Sequence, residues 1–274
     1  MAAIDTLVFD IDDTLYPVSC GFSDHRNTEV VASFMVEKLG FASQQDALKV
    51  RNEVFVKYHS TLKGLTVASS EGRLPKPFRQ EELGEWWAEH CDFEKFVPPL
   101  SASFIESLQA LKDAGLKLVV FTNSPRKYGL RCLEALGVRA LFSDSCIFGV
   151  EDVMPSCKPE AEAFQKVFRS VGTVPERAVM FEDSMKNVRA CKALGMRTVL
   201  VDESGDEGHP IAGEAALLGD AACHDDPAVD FVVRSIEQID VLLPGLLRKT
   251  FAPPGVRSLK RKAVEEEHGG AAGA

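Results

Sequence analysis

Residues 6–15, TLVFDIDDTL, are an apolar run that breaks into carboxylates, and no other stretch limits the fold as much. Leu7, Val8, Phe9 and Ile11 make a short apolar segment bounded by polar residues, which is how a strand buried on both faces of a parallel sheet reads. Asp10 and Asp12 lie two residues apart at its C-terminal end, so an extended backbone turns both carboxylates to one side. Carboxylates so placed repel unless a cation or a proton joins them. The stretch points either to a metal with acid/base chemistry or to a strand running into an acidic, solvated turn.

From about residue 98 onward strands and helices alternate, the signature of a parallel sheet. Leu116 to Phe121 is a second buried strand and delivers Thr122-Asn123-Ser124. Cys146-Ile147-Phe148 is a short strand before the loop that bears Cys157-Lys158-Pro159. Ala178 to Phe181 is another and ends in Glu182-Asp183-Ser184, while Thr198 to Val201 and Phe231 to Val233 complete the set. Helices are expected from Ser103 to Gly115, from Pro125 to Gly137, after Pro159, up to Leu194, and from Ile236 to Leu243. In an open parallel sheet ligands bind beyond the carboxyl ends of the strands, so Asp10, Asp12, Thr122, Asn123, Lys158, Glu182 and Asp183 are expected to converge. Each also has a structural alternative: Thr122-Asn123-Ser124 can cap a helix, Lys158 can be a surface lysine, and Glu182-Asp183 can favour a helix's positive end.

Residues 18–97 have a different, helical texture. Ser23 is placed to cap a helix carrying Val30, Val31, Phe34, Met35 and Leu39 up to Gly40. Ser43 to Asp46 resembles a capping box for a second helix with Ala47, Val50, Val54 and Tyr58 on one face. A linker with Gly64, Gly72, Pro75 and Pro77 is expected next, then a helix from Glu81 to His90 bearing Trp86 and Trp87. Residues 203–228 read as a loop with room for a short helix, and residues 251–274 as a disordered tail with little to bury. The tail's basic cluster, Arg257 to Lys262, reads as a solvated charge run or a nuclear-import address.

The acidic balance, a net charge of −10, disfavours broad attraction to nucleic acid or an anionic membrane. There is neither an apolar run near the roughly 20 residues of a membrane span nor a basic-then-apolar leader, so a cytoplasmic protein is expected. Seven cysteines without CxxC spacing read as reduced thiols, and six histidines without paired spacing give no zinc site. Nothing in the pattern sets an oligomeric state.

As an ordered set, DIDDTL, TNS after a strand, KP and FEDSMKN resemble the four motifs of the haloacid-dehalogenase superfamily of Mg-dependent phosphohydrolases, over residues 5–202. The resemblance implies a Rossmann-like α/β core with three layers, α/β/α, from residues 1–17 and 98–250, with residues 18–97 as a helical cap of the first type inserted after the first strand. DIDDTLYP, Gly64-Leu65 and Gly72-Arg73-Leu74-Pro75 look like the plant and fungal pyrimidine 5′-nucleotidase subgroup, which implies a nucleoside 5′-monophosphate as the small phosphorylated substrate.

Beside the resemblance, Asp10 is placed to attack phosphorus and form an aspartyl phosphate, and Asp12 to protonate the leaving alcohol and then activate water. That double role predicts a raised pKa for Asp12. By resemblance Mg²⁺ is held by the Asp10 carboxylate, the Asp12 backbone carbonyl and Asp183, with Glu182 behind them. The Thr122 hydroxyl, the Asn123 N–H and Lys158 would hold the phosphoryl oxygens. Asn187, one helical turn after Asp183, would orient Lys158 or a metal-bound water; Thr14 would fix the loop, and Asp13 reads as a solvated turn residue. Lys57, Tyr58, His59, Lys63 and Arg73 are candidates for substrate contact or plain helical surface, and Trp86 and Trp87 are expected to pack the cap.

Three other chemistries share this frame. A phosphatase or phosphomutase of a sugar phosphate or phosphoglycolate uses the same two aspartates. A haloacid dehalogenase has no alcohol to protonate, and the family's dehalogenases lack the second aspartate, so Asp12 argues against it. A non-catalytic phosphoacceptor or regulatory module would also use clustered carboxylates, a hydroxyl and a lysine, but without an insertion of about 80 residues.

Overall fold

The computed structural model describes residues 2–204, 218–251 and 253. Strands β1 (Thr6–Phe9), β2 (Lys117–Phe121), β3 (Ile147–Phe148), β4 (Ala178–Glu182), β5 (Arg197–Val201) and β6 (Phe231–Val233) form one sheet in the order β3-β2-β1-β4-β5-β6. Every pairing is parallel. Because side chains alternate across a strand, Leu7 and Phe9 join a core with Leu118, Val120, Val179 and Phe181 on one face, while Val8 joins Val119, Phe121 and Met180 on the other. Both faces are covered, so the all-apolar strands are satisfied and the fold is the expected Rossmann-like, three-layer α/β/α arrangement.

Between β1 and β2 lie α1 (Phe22–His25), α2 (Val31–Glu37), α3 (Gln44–Tyr58), α4 (Thr61–Ser70), α5 (Gln80–His90), α6 (Phe93–Phe96) and α7 (Ala102–Asp113). Only α7 flanks the sheet, through Phe104, Leu108 and Leu111. After β2 come α8 (Arg126–Ala135), α9 (Val150–Val153), α10 (Ala161–Val171), α11 (Met185–Ala193) and α12 (Leu243–Leu247). On the opposite face α10 packs Phe164 edge-on against Phe121, with ring centroids 5.4 Å apart.

Four local expectations change. The helix expected from Ser23 is broken by a π-helical turn over Arg26–Val30, which carries Arg26 and Asn27 inward. The expected linker at Gly64 is helix α4 instead, because its glycine lies where a Cβ would stand 2.6 Å from Val54 Cγ2; the irregular stretch begins only near Gly72. Ser101, not Ser103, caps α7, its hydroxyl accepting from the Phe104 N–H. The last helix divides into a 3₁₀ turn, Ile236–Val241, and α12, whose first turn contains Pro244. Most of the tail, including its basic cluster, and residues 205–217 of the expected loop lie outside the described residues.

One close approach fixes the corner beside the site. A Cβ on Gly149, just after β3, would stand 2.3 Å from the Arg126 backbone N and 2.7 Å from its Cα. Neither atom can move without shifting the start of α8. Gly149→Ala is therefore expected to cost about 1–3 kcal/mol, read as a lower urea midpoint at unchanged slope.

Candidate active site

At the centre of the sheet β1 sits between β2 and β4, where chain order reverses direction, and Asp10 follows it directly. Its N–H donates to the Phe181 carbonyl at 3.1 Å, which continues the β1–β4 ladder by one rung. Thr122 extends β2 in the same way, donating to the Phe148 carbonyl at 3.0 Å. The loop with Lys158 is clipped to this edge by Asn123: its Oδ1 accepts from the Lys158 N–H at 2.9 Å and its Nδ2 donates to the Lys158 carbonyl at 2.8 Å. The Lys158 side chain, 1% exposed, then donates to Asp10 Oδ1 at 2.8 Å and Glu182 Oε2 at 2.7 Å. Oxygens of Asp10, Glu182 and Asp183 lie within 4.8 Å of one another. Asp10, Asp12, Thr122, Asn123, Lys158, Glu182, Asp183 and Asn187 all line one cavity, as their positions at strand ends predict.

The cluster is electrostatically uneasy. Burial, then Glu182, pushes the Asp10 carboxyl well above the usual range, and Lys158 only partly offsets them. Asp183 is likewise pushed well up by burial and by Glu182, Asp13 and Asp10. Burial acts to lower the Lys158 ammonium, but Asp10 and Glu182 outweigh it and raise it. One ammonium among three carboxylates leaves negative charge uncompensated.

Asp12 departs from expectation. Burial acts to raise its pKa, but Arg26 and the hydroxyls of Ser124, Tyr16 and Tyr128 outweigh that and lower it. Its Oδ1 accepts from Arg26 Nη1 at 2.5 Å, Tyr16 Oη at 2.7 Å and Tyr128 Oη at 2.8 Å; its Oδ2 accepts from Ser124 Oγ at 2.5 Å. The sequence suggested only other carboxylates as neighbours, whereas the fold surrounds Asp12 with donors.

Residues 4–195 match the haloacid dehalogenase-like hydrolases, which is more than half of the chain. The chain belongs to that family. A phosphorylated carbohydrates phosphatase of Thermotoga maritima is 33% identical over 116 residues, covering 41% of this chain and 52% of the relative. Phosphoglycolate phosphatase 1 of Pseudomonas aeruginosa is 32% identical over 114 residues, 42% of this chain and 41% of the relative. The chain thus spans about half or less of these two relatives. L-2-haloacid dehalogenase of Xanthobacter autotrophicus shares the fold with a TM-score of 0.55 at 18% identity, over 88% of this chain and 99% of that one.

Family membership makes a divalent cation the natural counter-charge, and the donor set fits one. Three buried or half-buried carboxylates converge, two of them strained toward protonation without a cation. Asn187 Oδ1 is buried with no hydrogen-bond partner among the described residues, and Asn187 does not bond Lys158; it lines the cavity as an acceptor that a hydrated cation would satisfy. Thr14 does more than fix a loop, since its hydroxyl donates to Asp183 Oδ1 at 3.2 Å. Asp13 is not simply a solvated turn residue: it holds a left-handed φ of 58° and accepts from Ser23 Oγ at 2.6 Å.

Sequence reasoning did not single out Arg26, Tyr16, Tyr128 or Ser124. Ser124 had a signal, its place in the hydroxyl-rich triplet after β2, and Tyr16 lay within DIDDTLYP, but Arg26 and Tyr128 carry none. Of the five candidate contacts in the insertion, His59 lines the cavity, and its carbonyl accepts from Asn123 Nδ2 at 3.0 Å. Lys63 is paired with Glu160 and Arg73 with Glu53. Trp87 lines the cavity as well as packing the insertion, whereas Trp86 stacks on His90. All seven cysteines are free thiols, and no described helix is long and apolar enough to cross a membrane.

Proposed function

We propose that the protein is a Mg²⁺-dependent phosphatase of a small phosphomonoester that works through an aspartyl phosphate on Asp10. The observation that carries this reading is the Asp10–Lys158 pair, 2.8 Å apart within a carboxylate cluster at the sheet's switch point, with Asp12 and Thr122 on the same cavity. In the first step an Asp10 oxygen forms a bond to phosphorus as the ester P–O bond breaks, and the leaving alcohol oxygen takes a proton from Asp12, a proton that Asp12, held as a carboxylate by Arg26 and three hydroxyls, must first take up from solvent. In the second, water attacks phosphorus and gives a proton back to Asp12 as the Asp10–phosphorus bond breaks, releasing inorganic phosphate. Lys158 and the Thr122 hydroxyl hold the phosphoryl oxygens while charge shifts. Asp10, the Asp12 carbonyl and Asp183 would hold Mg²⁺, which would supply positive charge where an anionic phosphoryl group meets an anionic nucleophile.

In this reading residues 18–97 act as a cap that shields the phosphoryl group from bulk water, since Arg26, His59, Ser60 and Trp87 from that segment wall the cavity. The relatives' names favour phosphoglycolate or a phosphorylated carbohydrate over the nucleoside monophosphate that the sequence suggested. A cavity of about 80 Å³ agrees with a compact substrate.

The test is phosphate release from phosphoglycolate, hexose phosphates and nucleoside 5′-monophosphates. We expect turnover of phosphoglycolate above that of the nucleoside 5′-monophosphates, and chelation by EDTA to lower it about 10²-fold or more, reversibly on adding Mg²⁺. Equal rates with and without the metal would overturn the cation's role. Chloride released from 2-chloropropionate, or isomerised product from a hexose 1-phosphate, would replace the reading with a dehalogenase or a mutase.

A further inference from the structure

The wall that the helical insertion presents to the cavity contains a buried guanidinium. Arg26 is 2% exposed, and its guanidinium carbon lies 4.9 Å from the ring centroids of both Trp87 and Tyr128. A second buried arginine backs it: Arg26 Nε donates to Asn27 Oδ1 at 3.2 Å, and Arg51 Nη2 donates to the same oxygen at 3.0 Å. Two guanidinium groups sharing one neutral acceptor favour an anion nearby, because a buried cation is costly unless paired. Here that anion is Asp12, held by Arg26 Nη1 at 2.5 Å.

This pairing occupies the group that must handle protons. A carboxylate offers about four lone-pair positions. Arg26, Tyr16, Tyr128 and Ser124 take them up, all within 2.8 Å, with Thr122 Oγ1 a further donor at 3.4 Å. An Asp12 so saturated has no position left from which to serve a leaving oxygen or a water. Something must draw Arg26 away, and the cavity that Arg26 lines also holds the proposed phosphoryl position.

We propose that Arg26 is the receptor for a second anionic group of the substrate, a carboxylate or a further phosphate, which takes Arg26 from Asp12 and frees Asp12 to reach the ester oxygen. The substrate class is then a compact phosphomonoester that carries a second anion. The anion-binding half starts from a buried guanidinium on the cavity wall; that it leaves Asp12, and what the leaving does, rest on the phosphatase reading above. A substrate with an uncharged tail leaves Asp12 pinned, so the protein selects for the second charge in turnover as well as in binding.

Phosphoglycolate and ethyl phosphate are matched probes, differing in a carboxylate against a methyl group. In the wild type we expect kcat/KM for phosphoglycolate to exceed that for ethyl phosphate at least about tenfold, with kcat contributing to the difference. Arg26→Gln is expected to erase the ratio and Arg26→Lys to restore part of it. Calorimetric binding of the same two probes to Asp10→Asn, with and without Arg26→Gln, reads the preference without turnover. A ratio near one in the wild type, or one that survives Arg26→Gln, overturns the proposal even if both probes are hydrolysed. A binding preference lost with Arg26 in a protein that hydrolyses neither probe supports the anion receptor and instead overturns the phosphatase reading. Should Arg26→Gln not fold, Arg26→Lys and the wild-type ratio decide the matter.

Discussion

Asp10→Asn is expected to lower phosphate release on the order of 10⁴-fold while leaving the fold at least as stable. The amide keeps the shape of the side chain and its backbone rung to Phe181, but it removes the carboxylate proposed to attack phosphorus. Covalent catalysis fails as a unit when its nucleophile is lost, so the residual rate is that of water positioned by Lys158 and Thr122. Stability should move the other way. Burial and Glu182 make an ionised Asp10 unfavourable in the folded protein, and Lys158 retains Glu182 at 2.7 Å when Asp10 becomes neutral. In EDTA the variant is expected to gain on the order of 1 kcal/mol, a trade between stability and activity that reacting groups often show. Activity from a malachite-green phosphate assay and a urea midpoint on the same preparation separate the two effects. A parallel fall in both would mean that the variant is unfolding, and unchanged activity would end the proposed role of Asp10.

How far the sequence foretold this arrangement depends on the range over which each signal acts. Asp10, Thr122 and Glu182 were legible because the cue is local, an apolar strand followed at once by polar residues, and the rule for parallel sheets places such ends together. The family resemblance rested on these cues together with the Lys158-Pro159 loop, in order, and residues 4–195 match that family. The protonation of Asp12 was misjudged because its neighbours in sequence are acidic while its neighbours in space are not. Arg26 is fourteen residues on, at the start of a π-helical turn that no residue pattern announced, and Tyr128 lies on a helix that follows β2. Gly64 was misread for a related reason: glycine ordinarily interrupts a helix, but here it lets α3 and α4 touch. The residue types implied by resemblance gave the proposed reaction's frame; the insertion's contribution to the cavity, from Arg26, His59, Ser60 and Trp87, was set by contacts across it.

Lys158→Met should damage activity and stability together, and its stability cost should depend on pH. Lys158 is 1% exposed between Asp10 and Glu182, and the substitution conserves its length while deleting the ammonium. Breaking a buried pair costs about 3–5 kcal/mol, because the partners remain as uncompensated charge. Phosphate release should fall about 10²–10³-fold, the scale of losing one donor to a transition-state oxyanion. The sign of the pH effect follows from the carboxylates. Asp10 and Asp183 already have folded pKa values raised above those of the unfolded chain, Asp10 by burial and then Glu182, so the folded form binds more protons and stability falls as pH rises through the raised values. Removing Lys158 takes away the ammonium that partly offsets the rise at Asp10 and so raises Asp10 further. The stability gap between wild type and variant should therefore be small near pH 4, where carboxylates of the unfolded chain also take up protons, and widest at neutral pH and above. Urea midpoints in EDTA at pH 5 and pH 7.5 measure it. A gap that stays constant between them would show that Lys158 holds its loop by packing alone, and that the carboxylates do not share its charge.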